Sequence, residues 1–261
     1  MKFHRIWAVM LRHFYNYRYS PDRISDSFYW PLIDIVMWGF TAHYIQSSGT
    51  AIPNLILMLM SALVLWNSLW RGQYEITVNL LEEMWSRNLV NLFSSPLKIG
   101  EWIIAVMLLG FSKLIITESV AIIAIYILYA INVLSFGWYL LPFFAALLIT
   151  GWAAGFFVAG LIIGVGTKIQ TLAWSGAFLL APFSGVYYPI STLPEWAQKV
   201  ASIIPSSYIF EGMREVLFKN TLSTELLIKS FLLDGFYLIL ALSFFIFMFN
   251  VSKRKGLSRL E

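Results

Sequence analysis

Cysteine is absent from the 261 residues, which excludes disulfides, thiolate metal sites and cysteine nucleophiles. Histidine is almost absent: His4, His13 and His43 are scattered and form no metal-ligand spacing. Charge is scarce at 12% of residues, while apolar residues make up 59% and the mean hydropathy is +0.73. Such a chain does not stay dissolved as a soluble domain, and lipid is the solvent it fits. The net charge of +4 then belongs beside a membrane surface, and no nucleic-acid partner is expected. A phosphate-cradling loop is missing too. The nearest run, Gly164-Val165-Gly166-Thr167-Lys168, has the wrong order and follows an apolar stretch. If ATP and Mg drive this protein, another chain must bind them. No cluster of acid, base and nucleophile marks an enzyme, and residues 1–27 lack the apolar core of a cleaved signal peptide.

What the chain does have is apolar runs of membrane-spanning length. A helix needs roughly 20 residues to cross a bilayer core about 30 Å thick. Candidate spans fall at about 28–45, 52–70, 102–129, 139–163, 171–187 and 228–251. The tip Gln46-Ser47-Ser48-Gly49-Thr50 turns the first into the second. A polar stretch with Glu75, Glu82, Glu83, Arg87 and Lys98 separates the second from the third, and 80–93 reads as a helix within it. Before the spans, Phe3, Ile6, Trp7, Met10, Phe14 and Tyr17 recur at helical spacing. That helix lies on the membrane or packs on the cytoplasmic end of its own domain. Gly151, Gly155, Gly160 and Gly164 make span four a close-packing helix, with its partner in this chain or another.

Orientation follows from lysine and arginine, which resist translocation. Lys2, Arg5, Arg12, Arg18 and Arg23 precede span one, Arg71, Arg87 and Lys98 sit between spans two and three, and Lys253, Arg254, Lys255 and Arg259 close the chain. Both termini are therefore expected in the cytoplasm, which demands an even number of spans. The expectation is an all-α integral membrane protein with six transmembrane helices, an N-terminal interfacial amphipathic helix over 1–27, and a short re-entrant helical hairpin before the last span.

That hairpin, at about 189–220, carries the most specific residues. Thr192-Leu193-Pro194-Glu195 reads as a capping box with an early proline, and Pro205 ends the first helix. A second follows with Ile209, Met213, Val216 and Leu217 on one side and Arg214 with the charges on the other. Each helix would be about 18 Å long, too short to cross. The run Ser184-Gly185-Val186-Tyr187-Tyr188-Pro189-Ile190-Ser191-Thr192-Leu193-Pro194-Glu195-Trp196, then Ile204-Pro205, then Glu211-Gly212-Met213-Arg214, resembles the signature of type-2 ABC transporter permeases, the membrane subunits of drug, lipid and glycan exporters.

The resemblance implies one permease domain over 28–261, in a bacterial or archaeal plasma membrane. It would pair with a second copy of itself or a homologous permease and be powered by two cytoplasmic ABC ATPase subunits that hold ATP and Mg. It also implies a path at the dimer interface formed by spans one, two and five. The outer hairpin, with Pro189, Pro194, Trp196, Pro205 and Arg214, would stand at the outer mouth. The segment 75–98 would hold a coupling helix that offers Glu82, Glu83 and Arg87 to the ATPase. Ser95-Pro96-Leu97 resembles the family's turn into span three, while Trp85-Ser86-Arg87-Asn88 stands where the family's usual Gly-Thr-Leu-Glu run is missing. The cargo would be an amphipathic drug, a lipid or a lipid-linked glycan.

Asp34, Lys113, Glu118 and Asp234 lie inside apolar runs, where a charge costs roughly 3 kcal/mol at mid-helix and needs a partner or a wet cavity. Each is either a structural pair or part of a path. Lys113 lies about 16 Å into span three and Asp34 about 9 Å into span one, a gap that a lysine stem can largely bridge. Glu118 and Asp234 fall nearer the outer side, within reach of Lys229. Trp30, Trp66, Trp70, Trp102, Trp138 and Tyr139 sit near span ends and read as interfacial anchors. The rival class is an ion-coupled secondary carrier with Asp34, Glu118 and Asp234 as proton sites, but the first three spans show no repeat in the last three.

Overall fold

In lipid a helix satisfies its own backbone groups, so apolar runs of this length fold as helices. The computed structural model describes residues 1–48 and 54–257, and no strand occurs among them. Gly49 and Thr50 of the expected first connection, Ile52 at the start of the expected second span, and Arg259 of the tail lie outside the described residues. The helices in chain order are α1 (Phe3–Arg18), α2 (Pro21–Ser47), α3 (Leu55–Trp85), α4 (Leu89–Ser94), α5 (Ile99–Tyr129), α6 (Leu140–Val165), α7 (Leu172–Ser175), α8 (Ala181–Ser184), α9 (Glu195–Ala201), α10 (Pro205–Lys219) and α11 (Thr224–Arg254). Four are long and apolar enough to cross a membrane: α3, α5, α11, and α6 with the turns before it from Val133. At 27 residues α2 spans about 40 Å, but by length and composition it is not among those four.

Several helix boundaries depart from expectation. Span two does not stop at Arg71. The helix runs on as α3 to Trp85, so Arg71 and Glu75 sit inside a 31-residue helix rather than in a loop. Residues 80–93 are accordingly not one helix. Arg87, at φ +52°, ends α3: the Arg87 N–H donates to Met84 and the Asn88 N–H to Glu83, the paired bonds of a left-handed helix stop, before the short α4. Nor does the capping box at Thr192 form. Thr192 Oγ1 donates to the Pro189 carbonyl at 2.7 Å, and α9, begun at Glu195, has only 7 residues or about 10 Å.

The expected fifth span is a series of short helical pieces over 167–184 rather than one helix, and the cause lies on α3. Gln73 Nε2 donates to the Ala173 carbonyl at 2.8 Å, and its Oε1 accepts from the Ala177 N–H at 2.9 Å. Those two groups, four residues apart, would bond each other in a regular helix. The inserted amide takes the place of that bond, one of the known causes of a helix break. Thr77 Oγ1 adds a donor to Ala173 at 3.2 Å.

At the centre α6 packs chiefly on α11 and α3. Its glycines set both distances, and both partners are in the same chain. A Cβ on Gly151 would meet the Leu69 carbonyl oxygen at 2.3 Å and Gly72 Cα at 3.0 Å, while Gly160 and Gly164 lie under Phe244 and Met248 of α11. Without a hydrophobic drive between helices in lipid, such close backbone contact is what holds them. The N-terminal α1 buries Ile6, Val9, Met10 and His13 against its own domain and leaves Phe3, Trp7 and Tyr15 exposed.

Candidate functional site

A cavity of about 450 Å³ opens between α2, α3, α5 and the broken segment. Two stripes with a four-residue repeat face it. One on α2 consists of Asp26, Trp30, Asp34 and Trp38; the other, on α3, consists of Trp66, Trp70 and Tyr74. Residues four apart share one helix face, so each stripe presents one wall. Trp174, Phe178 and Tyr187 close the third side, and Tyr187 stacks on Trp38 with ring centroids 4.4 Å apart. Trp66 faces Phe178 at 5.9 Å and Trp70 stacks on Tyr74 at 4.8 Å. Trp30, Trp66 and Trp70, read above as anchors, therefore line this cavity.

Its carboxylates differ. Asp26 accepts a 2.6 Å bond from the Tyr74 hydroxyl. Asp34 is exposed on its helix, and among the described residues no hydrogen bond or ion pair reaches it. Of the four expected intramembrane charges, Asp34 is the one that lines the cavity.

The other three are buried and held elsewhere. Lys113 does not pair with Asp34: its Nζ bonds Glu75 at 2.7 Å and sits 4.7 Å from the Tyr17 ring centroid. Glu75, 2% exposed, also faces Arg71 at 3.4 Å and accepts from Asn79 at 3.2 Å. Arg71 in turn donates to the Asp26 and Ser27 carbonyls at 3.3 and 3.4 Å, which ties α3 to α2. Glu118 accepts from Asn67 at 2.7 Å, and Asp234 from Thr150 at 2.6 Å. Neither reaches Lys229, which pairs with Glu225 at 2.6 Å. Glu75 and Arg71 escaped the sequence reading because they were assigned to a loop. The four-residue spacing of Arg71, Glu75 and Asn79 was the available signal.

At the foot of α3, Glu82 pairs with Arg23 of α2 and Glu83 with Arg12 of α1. Glu83 is buried, with His13 Nε2 3.5 Å away, while Arg87 is exposed. Burial, with the guanidiniums of Arg12 and Arg23 and the Lys113 ammonium, outweighs the nearby Glu75 and holds His13 down at about 3. Glu101 accepts the Lys98 and Lys2 N–H groups at 2.9 and 2.8 Å, joining the start of α1 to the start of α5. A second, open cleft of about 920 Å³ lies here, lined by Arg12, Arg23, Glu82, Glu83 and Trp85 among others.

At the opposite end the hairpin is locked to the turn before it. Arg214 is buried rather than on the charged side, and donates to the Gly185 carbonyl at 2.7 Å and to Glu211 at 3.0 Å. Glu211 also accepts the Ile190 N–H at 2.7 Å. Gly185 has φ +63°, and a Cβ there would lie 2.7 Å from Ile190 Cδ1, so the tight turn needs glycine. Pro205 opens α10, where its missing N–H costs nothing, and Ser206 meets Ser184 at 2.7 Å. Pro189 and Pro194 flank the short turn before α9, and Trp196 stands 63% exposed, edge-on to Phe183.

Compared with known protein families, residues 4–218 match the one described as ABC-2 type transporter. No curated protein matches the chain.

Proposed function

The chain belongs to the ABC-2 type transporter family, as the match over residues 4–218 shows, and from that premise we propose that it is the permease half of an ATP-driven exporter. Family membership makes it an integral membrane subunit and not itself the catalyst. In our reading ATP is bound and hydrolysed by two cytoplasmic ABC ATPase subunits, and a second copy of the chain, or a homologous permease, completes the path. The crossing elements are the four apolar helices, α2 and the broken segment, six in all with both termini cytoplasmic. The cargo is amphipathic.

The observation that carries this reading is the cavity between α2, α3 and the broken segment, which correspond to spans one, two and five. Asp34 faces the path; Lys113, Glu118 and Asp234 hold helices together around it. The hairpin bearing Pro189, Pro194, Trp196, Pro205 and Arg214 gates the outer mouth, fixed by the Arg214 lock. At the cytoplasmic foot the ATPase contacts Arg87 and α4. Glu82 and Glu83 pass the push on, because their ion pairs reach Arg23 on α2, which walls the path, and Arg12 on α1, which precedes it. A path wall interrupted by Gln73 can move in two pieces, as a gate requires.

The absence of cysteine makes a clean test available. Arg87→Cys and Asn91→Cys should cross-link to the co-purifying ATPase in detergent, whereas Trp196→Cys should not. Cross-linking of Trp196→Cys to the ATPase, or none from either foot position, rejects the arrangement.

A further inference from the structure

We propose that the cavity between α2, α3 and the broken segment takes a bulky organic cation, an amphipath carrying a quaternary or protonated nitrogen or a phosphonium centre. The inference rests on the permease reading and narrows its cargo.

Among the described residues, the charged groups lining the cavity are two carboxylates, Asp26 and Asp34, and no lysine, arginine or histidine is part of the lining. The nearby cations already have partners: Arg71 bonds Glu75 and the backbone of α2, the Asp26 carbonyl included, Lys113 bonds Glu75, and Arg23 pairs with Glu82. An anionic headgroup or a pyrophosphate-linked glycan would thus enter a field of its own sign, whereas a cation would be attracted.

The two carboxylates are eight residues apart on α2, about 12 Å along its axis. That separation is far too wide to chelate one metal ion and matches a large organic ion. Asp26 is occupied by the Tyr74 hydroxyl, which leaves Asp34 as the anchor.

The walls supply the second element of cation recognition. Tryptophan faces attract cations best among aromatic rings, and Trp30 and Trp38 flank Asp34 one turn before and one turn after it on the same face. Trp70 and Tyr74 already show the interaction from outside the cavity, with the Arg71 guanidinium 5.3 and 5.6 Å from their ring centroids. The volume of about 450 Å³ falls within the range of small-molecule pockets. A sugar chain would need an array of hydrogen-bonding side chains. Besides the two carboxylates, the lining offers the Asn67 amide, bonded to Glu118, the Tyr74 hydroxyl, bonded to Asp26, the Tyr187 hydroxyl, and indole N–H groups that only donate, so acceptors for sugar hydroxyls are few.

The test uses the full chain in phosphatidylcholine nanodiscs and two ions of equal size and opposite charge, tetraphenylphosphonium and tetraphenylborate, each measured as saturable binding above empty discs. Phosphonium should saturate at a concentration at least tenfold lower than borate. Asp34→Asn should weaken phosphonium binding about tenfold, and Asp34→Glu should retain it. Equal or tighter borate binding, or Asp34→Asn binding phosphonium like the parent chain, overturns the proposal. Should Asp34→Asn fail to fold, the comparison of the two ions on the parent chain still decides. Neither measurement needs ATP. Saturable phosphonium binding without ATP-driven transport therefore supports the cation site while refuting the power source, and ATP-driven transport without phosphonium binding overturns the cation site alone.

Discussion

Replacing Lys113 by alanine removes one of two cations facing a carboxylate that water cannot reach. Glu75 is 2% exposed, and its Lys113 bond is 2.7 Å long. Breaking a buried pair from one side costs about 3–5 kcal/mol, since the remaining charge stays buried. Glu75 keeps Arg71 at 3.4 Å and Asn79 at 3.2 Å, which places the loss near the lower end, at about 3 kcal/mol. For a chain of this size that corresponds to a fall of about 6–12 °C in melting temperature. Glu75→Gln should cost more, because it strands both Arg71 and Lys113. Lys199→Ala, at an exposed position of α9, should stay within about 0.5 kcal/mol. The assay is thermal unfolding of the detergent-solubilised chain, followed by intrinsic fluorescence and by retention of the monodisperse peak. In a double-mutant cycle, Glu75→Gln with Lys113→Met should lose at least about 1 kcal/mol less than the sum of the single changes. Equal melting of Lys113→Ala and Lys199→Ala, or strict additivity in the cycle, would refute the pairing.

The α3–α6 crossing should be intolerant of one methyl group: Gly151→Ala pushes into the Leu69 carbonyl and should cost about 1–3 kcal/mol in the same melt, while Gly100→Ala, with open space around it, should be neutral or slightly stabilising. Arg214→Ala strands the Gly185 carbonyl and should cost about 2 kcal/mol, seen as faster amide exchange across 185–190, and Arg214→Lys should recover less than half because one ammonium cannot replace the fork. Acid should loosen α1. The His13 value in the folded chain lies at about 3, below the ordinary 6.5, so neutral His13 contributes stability that is complete above pH 6.5 and lost as pH falls from 6.5 toward 3. Between pH 6.5 and 5.5 the loss should be roughly 1 kcal/mol, read as proteolysis within residues 1–20, and His13→Gln should flatten that dependence. A parent chain with no change over that interval would show that Arg12, Arg23, Lys113, Glu75, Glu82 and Glu83 do not set His13 as described.

How far the sequence could be read depended on how local each signal was. The run from Ser184 to Arg214 pointed to the family that the match over 4–218 shows, because its turns, prolines and the Glu211–Arg214 pair act within thirty residues of one another. The glycines of α6 announced close packing, though not their partners, since Gly72 and Met248 are far away in the chain. Charge misled the reading at Arg71. A charged residue after an apolar run looks like a span end, yet here the Glu75 carboxylate sits between Arg71 and Lys113 inside helices, and that arrangement requires knowing that α5 lies beside α3. The break in the fifth span was illegible for the same reason, because the amide that causes it belongs to Gln73, a hundred residues earlier. The cavity stripes were legible in principle. Asp26, Trp30, Asp34 and Trp38 recur every four residues, but aromatic residues near span ends have a commoner role at the interface.

In our reading this chain supplies a path and another supplies the power. That division of labour is tested most directly by reconstituting the permease into liposomes with its co-purifying ATPase and following ATP-dependent movement of tetraphenylphosphonium, first with the intact ATPase and then with its phosphate-loop lysine replaced by alanine. Movement should stop with the lysine variant and be absent when the permease is alone. Equal transport by the permease alone, or with the disabled ATPase, would contradict that division of labour.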